Sequence, residues 1–152
     1  MFRRNRSPFK SHIKYRAGYK YQLVEDYPLE NEPPIILPWH PPKDIITEYI
    51  QFFRDGRFVI KKGYAWDGAS GGARDTKTIM RGALTHDALY QLMREGHLDM
   101  DLYRALADWA LWQTCREDRM WFLRAWWVHE GVRWGGGPSA NPRNDRPILT
   151  AP

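Results

Sequence analysis

Proline is the residue whose distribution most constrains this fold, because its nitrogen donates no hydrogen bond inside a helix or a central strand. Six of the eleven prolines lie between Pro28 and Pro42, four lie from Pro138 onward, and none occurs over residues 43–137. That proline-free block is predicted to contain the folded core. The 152 residues have the length of one ordinary domain, and 43% of them are hydrophobic, which suffices for a buried core.

Short segments rich in β-branched and aromatic residues predict antiparallel strands. Residues 19–26 are predicted to form one short strand, and the proline-rich stretch 30–44 is a connector that can be neither a central strand nor a helix interior. Residues 45–53 and 57–63 flank Asp55-Gly56, a dipeptide typical of hairpin turns. These two segments are therefore predicted to pair with each other.

Three helical segments follow a glycine-rich loop, and they are predicted over residues 78–95, 101–116 and 118–134. The predicted fold class is therefore α+β: a small antiparallel β-sheet followed by a three-helix bundle, with extended N- and C-terminal arms. The organisation comprises a basic arm (1–18), a single α+β domain (19–137) and an extended tail (138–152). Within the domain, the strands and connector occupy 19–62, the loop 63–76 and the helices 77–137.

The net charge of +5 originates at the N-terminus, where residues 1–20 hold seven basic side chains and no carboxylate. The other 132 residues carry 16 basic and 18 acidic side chains, a sum of −2. Such an arm can contact phosphate on a lipid surface or on nucleic acid, and a solvated terminus is the alternative. No zinc-finger spacing, phosphate-binding loop or RNA-binding signature accompanies it, so nucleic acid is not predicted as a partner.

The single cysteine, Cys115, excludes an intramolecular disulfide framework and a cysteine-based zinc cluster. No apolar stretch has the length of a transmembrane segment, and no apolar run follows the basic start as a signal peptide requires. The chain is expected to be made in a reducing cytoplasm.

A histidine and an aspartate on neighbouring helices are predicted to form a pair. His86 and Tyr90 lie on the apolar face of the first helix, and Asp108 interrupts an apolar stretch of the second. A buried carboxylate needs a partner, and the short turn at residues 96–99 brings the middle of one helix opposite the middle of the other. The pattern indicates a general-base dyad in which Tyr90 binds the same carboxylate. A structural histidine in the core is the alternative.

Asp87, the residue after His86, suggests a cation site. Asp87 points about 100° away from His86 around the helix and is expected to face the glycine-rich loop. That loop offers a second carboxylate and backbone carbonyls, at Asp67, Trp66, Gly68 and Ser70. Such oxygen ligands suit calcium, which would polarise an ester carbonyl. A turn or helix-cap role is the alternative for Asp67. Neither Ser70 nor Cys115 lies in a nucleophile setting, so water is the predicted attacking species.

At these residues the chain resembles the calcium-dependent phospholipases A2, most closely the compact, cysteine-free form in parvoviral capsid proteins. The shared pattern spans residues 63–112 and consists of the glycine-rich loop, His86-Asp87-x-x-Tyr90, Met93-Arg94-x-Gly96 and Ala107-Asp108. The resemblance implies that His86 is the general base and that Asp108 orients it. It also implies that Asp87 is the calcium carboxylate and that Tyr90 supports Asp108. The loop departs from the family pattern, since it reads WDGASGG and carries the additional carboxylate Asp67.

A second and closer resemblance covers residues 58–137. The segments GYAWDGAS, ALTHDALYQL and RALADWALW, with the region 126–136, are similar to a phage and prophage family of unknown function. It implies phage structural proteins as partners and a location in the virion or the host bacterial cytoplasm. Two functions follow: a phospholipase A2-like, metal-assisted hydrolase of phospholipid or another ester, or a non-catalytic tail or capsid-associated structural protein.

The third helix is unusually rich in large apolar residues, and they nearly encircle it: Trp121, Phe122, Leu123, Trp126, Trp127, Val128, Val132 and Trp134. This distribution favours a helix buried in the core. A membrane surface or an assembly surface is the alternative partner of these side chains.

Overall fold

The computed structural model of the chain describes residues 15–18, 20–28, 30–32, 34–68 and 76–144. The predictions for residues 1–14, for loop residues 69–75 including Ser70, and for residues 145–152 lie outside that part of the chain. Antiparallel strands precede the helices throughout the described residues. The predicted α+β fold class is confirmed.

The described strands form two antiparallel sheets, where the sequence predicted one. The first sheet has the order β1-β2-β7 and consists of Tyr15–Gly18, Lys20–Leu23 and Ala65–Trp66. The second has the order β3-β6-β5-β4, and β3 to β6 are Ile35–Ile36, Ile45–Ile46, Ile50–Phe52 and Arg57–Ile60. The proline-rich connector contributes β3, which is an edge strand, in agreement with the expectation that this stretch forms no central strand.

The predicted strand over residues 45–53 is divided in two by a turn at Thr47. The Thr47 amide donates to the Ile50 carbonyl at 2.9 Å, and the Ile50 amide donates to the Thr47 hydroxyl at 3.0 Å. The predicted pairing around Asp55-Gly56 is confirmed, because β5 and β6 are antiparallel neighbours. Gly56 has a φ of +88°, and a Cβ there would lie 2.7 Å from the Leu37 carbonyl oxygen.

The three predicted helices are present as α1 (Lys77–Arg94), α2 (Met100–Glu117) and α3 (Phe122–Gly135). Helix α3 begins four residues later than predicted, since the predicted start at 118 becomes 122. The delay arises because the chain reverses at Arg119, whose φ is +66°, and the Met120 amide donates to the Cys115 carbonyl at 2.9 Å. Helix α2 begins at an aspartate, since the Asp99 carboxylate accepts from the Asp101 amide at 2.8 Å.

The tail was predicted to be extended from residue 138, and its described part is not. A short helix, α4, covers Gly137–Ala140, and a 3-10 turn covers Pro142–Asn144. Ala140 is buried, and the Arg94 guanidinium donates to the Ser139 carbonyl at 2.8 Å. Proline is compatible with the first turn of a helix, so Pro138 lies in the first turn of α4 and does not prevent it.

Helix α1 is the centre of the molecule. Between positions 79 and 93 every residue except Asp87 and Gln91 is buried. One apolar cluster joins α1 to the sheets and to α2, and a second joins it to α2 and α3. Polar side chains on α1 therefore need partners inside the protein.

Helix α3 corrects the expectation of a core helix. Only Ala125, Val128 and Val132 are buried on it, while its tryptophans face solvent. No helix in the described ranges combines the length and apolar character needed to cross a membrane.

Candidate active site

The structure brings His86, Tyr90 and Asp108 together between α1 and α2. His86 Nε2 lies 2.8 Å from Asp108 Oδ1, and the Tyr90 hydroxyl donates to the same oxygen at 2.6 Å. The two rings, one helical turn apart, have centroids 4.0 Å from each other. All three residues are 2% exposed. One carboxylate oxygen thus accepts from both side chains in a site shielded from water.

A close approach of the two helices makes these bonds possible. Gly82 lies where α1 touches α2, and a Cβ there would be 2.9 Å from Leu111 Cδ1 and 3.3 Å from Cys115 Sγ. The turn between the helices is short because Gly96 adopts a φ of +79° and the His97 amide donates to the Leu92 carbonyl. The sequence placed His86 opposite Asp108 from the length of this turn.

Hydrogen bonding selects the basic nitrogen of His86. A carboxylate only accepts hydrogen bonds, so Nε2 carries the proton toward Asp108 and Nδ1 has the lone pair of the neutral ring. Burial lowers the pKa of His86, but the hydrogen bond to Asp108 and the nearby Asp87 outweigh it, and the pKa lies above its ordinary value. Burial and the Asp108 carboxylate raise the pKa of Tyr90, so its hydroxyl keeps its proton and donates.

Asp87 lies on the other side of the imidazole, with its Oδ1 3.7 Å from Nδ1. Burial and the charge of Asp67 raise the pKa of Asp87, against the opposing effects of His86 and Arg94. Asp87 and Asp67 also act on Tyr64, whose pKa is raised well above its ordinary range mainly by burial. The Asp87 carboxylate therefore interacts electrostatically with Tyr64 and Asp67, which flank β7. On the opposite side of the ring, His86 Nε2 faces Asp108 on α2.

The other predicted metal ligands are only partly brought together. The Asp67 side chain is 62% exposed, and its Oδ1 is 3.8 Å from Lys20 Nζ. Trp66 and Gly68 are buried, and Gly68 has a φ of +77°. Among the described residues no three His, Cys, Asp or Glu side chains form a group that could hold a metal ion. Calcium stays a prediction that depends on two carboxylates and on backbone carbonyls.

Two residues that the sequence analysis missed support Tyr90. Arg104 Nε lies 3.4 Å from the Tyr90 hydroxyl, and Arg104 Nη2 donates to the Val132 and Arg133 carbonyls at the end of α3. A Cβ on Gly136 would lie 2.7 Å from the Tyr90 hydroxyl oxygen. Arg104 precedes Asp108 by one helical turn, a spacing that signals a shared face, whereas the packing of α3 on Tyr90 has no local signal.

Cys115 is unsuited to nucleophilic attack. The thiol is buried, and this burial raises its pKa to about 12. The thiolate, which is the reactive form, is therefore scarce at neutral pH. Water as the attacking species stays a prediction.

Comparisons with known proteins identify no relative of this chain. No protein-family model, no curated protein and no solved structure matches the chain. The two resemblances noted in the sequence therefore remain predictions, and function must be inferred from the site itself.

Proposed function

We propose that this protein is a phospholipase A2-like ester hydrolase of phage origin that acts on phospholipid or a related ester. The observation that carries the proposal is the single Asp108 oxygen that accepts from both His86 and Tyr90. A histidine held in this way has one fixed nitrogen and one basic nitrogen, which is the arrangement that general-base catalysis needs. A phage protein of this type would act in the virion or in the host bacterial cytoplasm.

In the proposed reaction, His86 Nδ1 takes a proton from water while the water oxygen attacks the ester carbonyl. The imidazolium that forms donates from Nε2 to Asp108, and Tyr90 keeps that carboxylate in place. When the tetrahedral intermediate collapses, its bond to the alcohol oxygen breaks and the imidazolium returns the proton to that oxygen. Because the His86 side chain is 3% exposed, the reaction requires a movement that admits water and substrate to Nδ1.

Asp87 and Asp67 fit a hard cation in donor type, since both offer carboxylate oxygens. The pKa of Asp87 is raised mainly by burial, and the charge of Asp67 adds to the rise. The carbonyls of Trp66, Gly68 and Ser70 would complete the set. Calcium bound there would supply polarisation of the ester carbonyl and stabilisation of the oxyanion. Asp87 Oδ1 lies 3.7 Å from Nδ1, so the basic nitrogen of His86 is on the side of the imidazole that faces the Asp87 carboxylate.

The test is release of fatty acid from mixed phospholipid vesicles, measured with calcium, with chelator, and with His86→Ala and Asp87→Ala. Matched controls are His97→Ala and Asp44→Ala, which remove exposed side chains of the same types. We expect release by the wild type and both controls, and loss with chelator and with either site variant. Thermal unfolding of each variant verifies that it is folded.

No release by folded wild-type protein with calcium present would overturn the hydrolase proposal. Release that survives His86→Ala would overturn the assignment of the base. Release that survives chelator but is lost in His86→Ala would support the general-base dyad and contradict the calcium requirement.

A non-catalytic virion protein, such as a tail or capsid-associated component, is the second candidate function. The observation that favours it is the near-complete burial of His86 and Asp108, which suits a polar pair that serves folding. Such a protein would copurify with phage particles, and His86→Ala would lower its thermal stability with no catalytic rate to affect.

A further inference from the structure

The side of α3 that faces away from the core is rich in exposed aromatic residues. Its buried side is formed by Ala125, Val128 and Val132. Large apolar side chains project from the rest of the helix and its start, and we call them the α3 aromatic face: Trp121, Phe122, Leu123, Trp126, Trp127 and Trp134. Trp127 is 68% exposed and Trp134 is 78% exposed. Large apolar side chains that cluster on one exposed surface are typical of a docking site, whereas single scattered ones are ordinary.

Arginines flank this face at both ends of α3. Arg116 lies 5.7 Å from the centre of the Phe122 ring, and Arg133 lies 5.6 Å from that of Trp134. Arg119 and Arg124 lie in the turn before α3 and in its first turn. Guanidinium groups therefore lie beside aromatic rings at the start and at the end of α3.

The carboxylates of the same region are already engaged. Glu130 accepts from the Trp134 indole at 3.0 Å and lies 3.6 Å from Arg133. Glu117 and Asp118 bind the buried Arg81, at 3.1 Å and 2.9 Å. Residues 116–134 hold four arginines and three carboxylates, and Arg81 adds a fifth cation, so the net charge of this region is positive.

We propose that the α3 aromatic face docks onto a lipid bilayer that carries anionic headgroups. Indole rings are favoured at the depth of the headgroups, where one edge is apolar and the N–H is hydrated, and arginines pair with lipid phosphate. Exposed rings that project from one helix can insert among the headgroups of a flat bilayer. This inference deepens the proposed function by naming a membrane-contact surface, but the binding itself needs no catalysis.

Charge argues against a second copy of the chain as the occupant. In a two-fold dimer the same patch meets itself, so the net positive charge of one copy would oppose that of the other. Like charges brought together at an interface disfavour that pairing. An anionic bilayer has the complementary charge.

The experiment measures cosedimentation with vesicles of phosphatidylglycerol and phosphatidylcholine, and with vesicles of phosphatidylcholine alone, in chelator. Chelator and His86→Ala prevent hydrolysis, so binding and catalysis are read separately. We expect binding to the anionic vesicles, weaker binding to the neutral ones, and a decrease at high salt. Anionic vesicles should bind His86→Ala as well as the wild type, even if the hydrolase proposal fails.

Trp127→Ser with Trp134→Ser is expected to lower the affinity for anionic vesicles by a factor on the order of 100, because two indole rings no longer insert. Both side chains are exposed, so the variant should fold like the wild type. Ile46→Ser with Leu102→Ser removes two exposed apolar side chains elsewhere and should leave binding unchanged.

Arg119→Gln with Arg133→Gln is expected to lower the affinity by about 25-fold, since each arginine near an anionic surface contributes about 1 kcal/mol, or about fivefold. The charge-matched control is Arg54→Gln with Lys62→Gln, which are exposed and lie on the strand side of the molecule. Quenching of wild-type tryptophan fluorescence by brominated lipid provides an independent readout.

Absence of wild-type binding to the anionic vesicles overturns the inference. Equal loss in the apolar controls and in the α3 variants overturns it as well. Concentration-dependent dimerisation abolished by Trp127→Ser, without vesicle binding, would assign the face to a second copy. Equal binding to a short oligonucleotide, lost in the same variants, would assign it to nucleic acid.

Discussion

Two buried polar links join α1 to α2, and they differ in what they can do. At the start of α1, Arg81 donates to Asp118 through Nε at 3.2 Å and Nη2 at 2.9 Å, and Nη2 also donates to Glu117. In the middle of α1, His86 and Tyr90 bind Asp108. Arg81 is 3% exposed and His86 is 2% exposed, so burial does not distinguish them.

The difference lies in proton chemistry. A guanidinium stays charged at any pH of interest, and it holds carboxylates in a fixed, two-pronged geometry. An imidazole changes protonation near neutral pH, and His86 uses only one of its two nitrogens for Asp108. The Arg81 link therefore serves folding, whereas the His86 link can also transfer a proton. Burial of a charged pair alone is no sign of catalysis.

The largest effect is expected for His86→Gln. The glutamine amide can still donate to Asp108, but it has no basic nitrogen, so ester hydrolysis should fall by about 10²–10⁴-fold. Fatty-acid release measures the loss of activity, and denaturant unfolding measures the change in stability. The unfolding free energy should fall by only about 1–2 kcal/mol, because the donor to Asp108 is retained. Hydrolysis at the wild-type rate would make His86 purely structural.

Arg81→Met should act in the opposite way. It leaves the carboxylates of Asp118 and Glu117 partly buried without their cation, so the unfolding free energy should fall by about 3–5 kcal/mol. Urea unfolding followed by circular dichroism measures the loss, and hydrolysis per folded molecule should stay unchanged. Arg54→Met, at an exposed position, should stay within about 0.5 kcal/mol of the wild type. A loss below 1 kcal/mol for Arg81→Met would contradict the structural role.

Tyr90→Phe removes one of the two donors to the shared Asp108 oxygen. Hydrogen bonds to a charged acceptor contribute about 1.5–3 kcal/mol, so a loss of this size is expected in unfolding free energy. Hydrolysis should fall less than in His86→Gln, since the base remains. The matched control is Tyr103→Phe, whose hydroxyl donates to the His40 carbonyl at an exposed position. If the two tyrosine variants unfold alike, Tyr90 does not secure Asp108.

The smallest effect is expected for Glu117→Gln. Asp118 keeps both of its bonds to Arg81 in this variant, and the Glu117 side chain is 22% exposed. The unfolding free energy should therefore change by about 1 kcal/mol or less. Asp118→Asn should lower the unfolding free energy by more than Glu117→Gln does. Urea unfolding of the two variants shows which carboxylate contributes more to the bond with Arg81. The reverse order would show that Glu117 is the principal partner of Arg81.

Local signals predicted the part of the fold that contains the dyad. Helices α1 and α2 lie within one residue of their predicted bounds, because Asp99 caps one and Gly96 follows the other. The short turn between them then requires an antiparallel pair, which places His86 opposite Asp108. Arg104 was missed although its spacing from Asp108 on the same helix pointed to it.

Signals for the other regions were ambiguous or absent. Proline at residue 138 fits either an extended arm or the first turn of a helix, and burial of Ala140 against the helices decides for α4. A continuous β-forming segment over 45–53 conceals the turn at Thr47, which depends on a hydrogen bond with Ile50. Apolar residues all around α3 do not show which side is buried.

By itself, the sequence determined the fold class, the order of the elements and the facing of His86 and Asp108, because each follows from caps, turns and periodicity over a few residues. Tertiary structure alone decided that the strands divide into two sheets, that Gly136 closes over Tyr90, and that the tryptophans of α3 point outward. Those outcomes depend on which surfaces of distant segments pack most closely. Packing of that kind is a property of the whole chain, and no short stretch of residues encodes it.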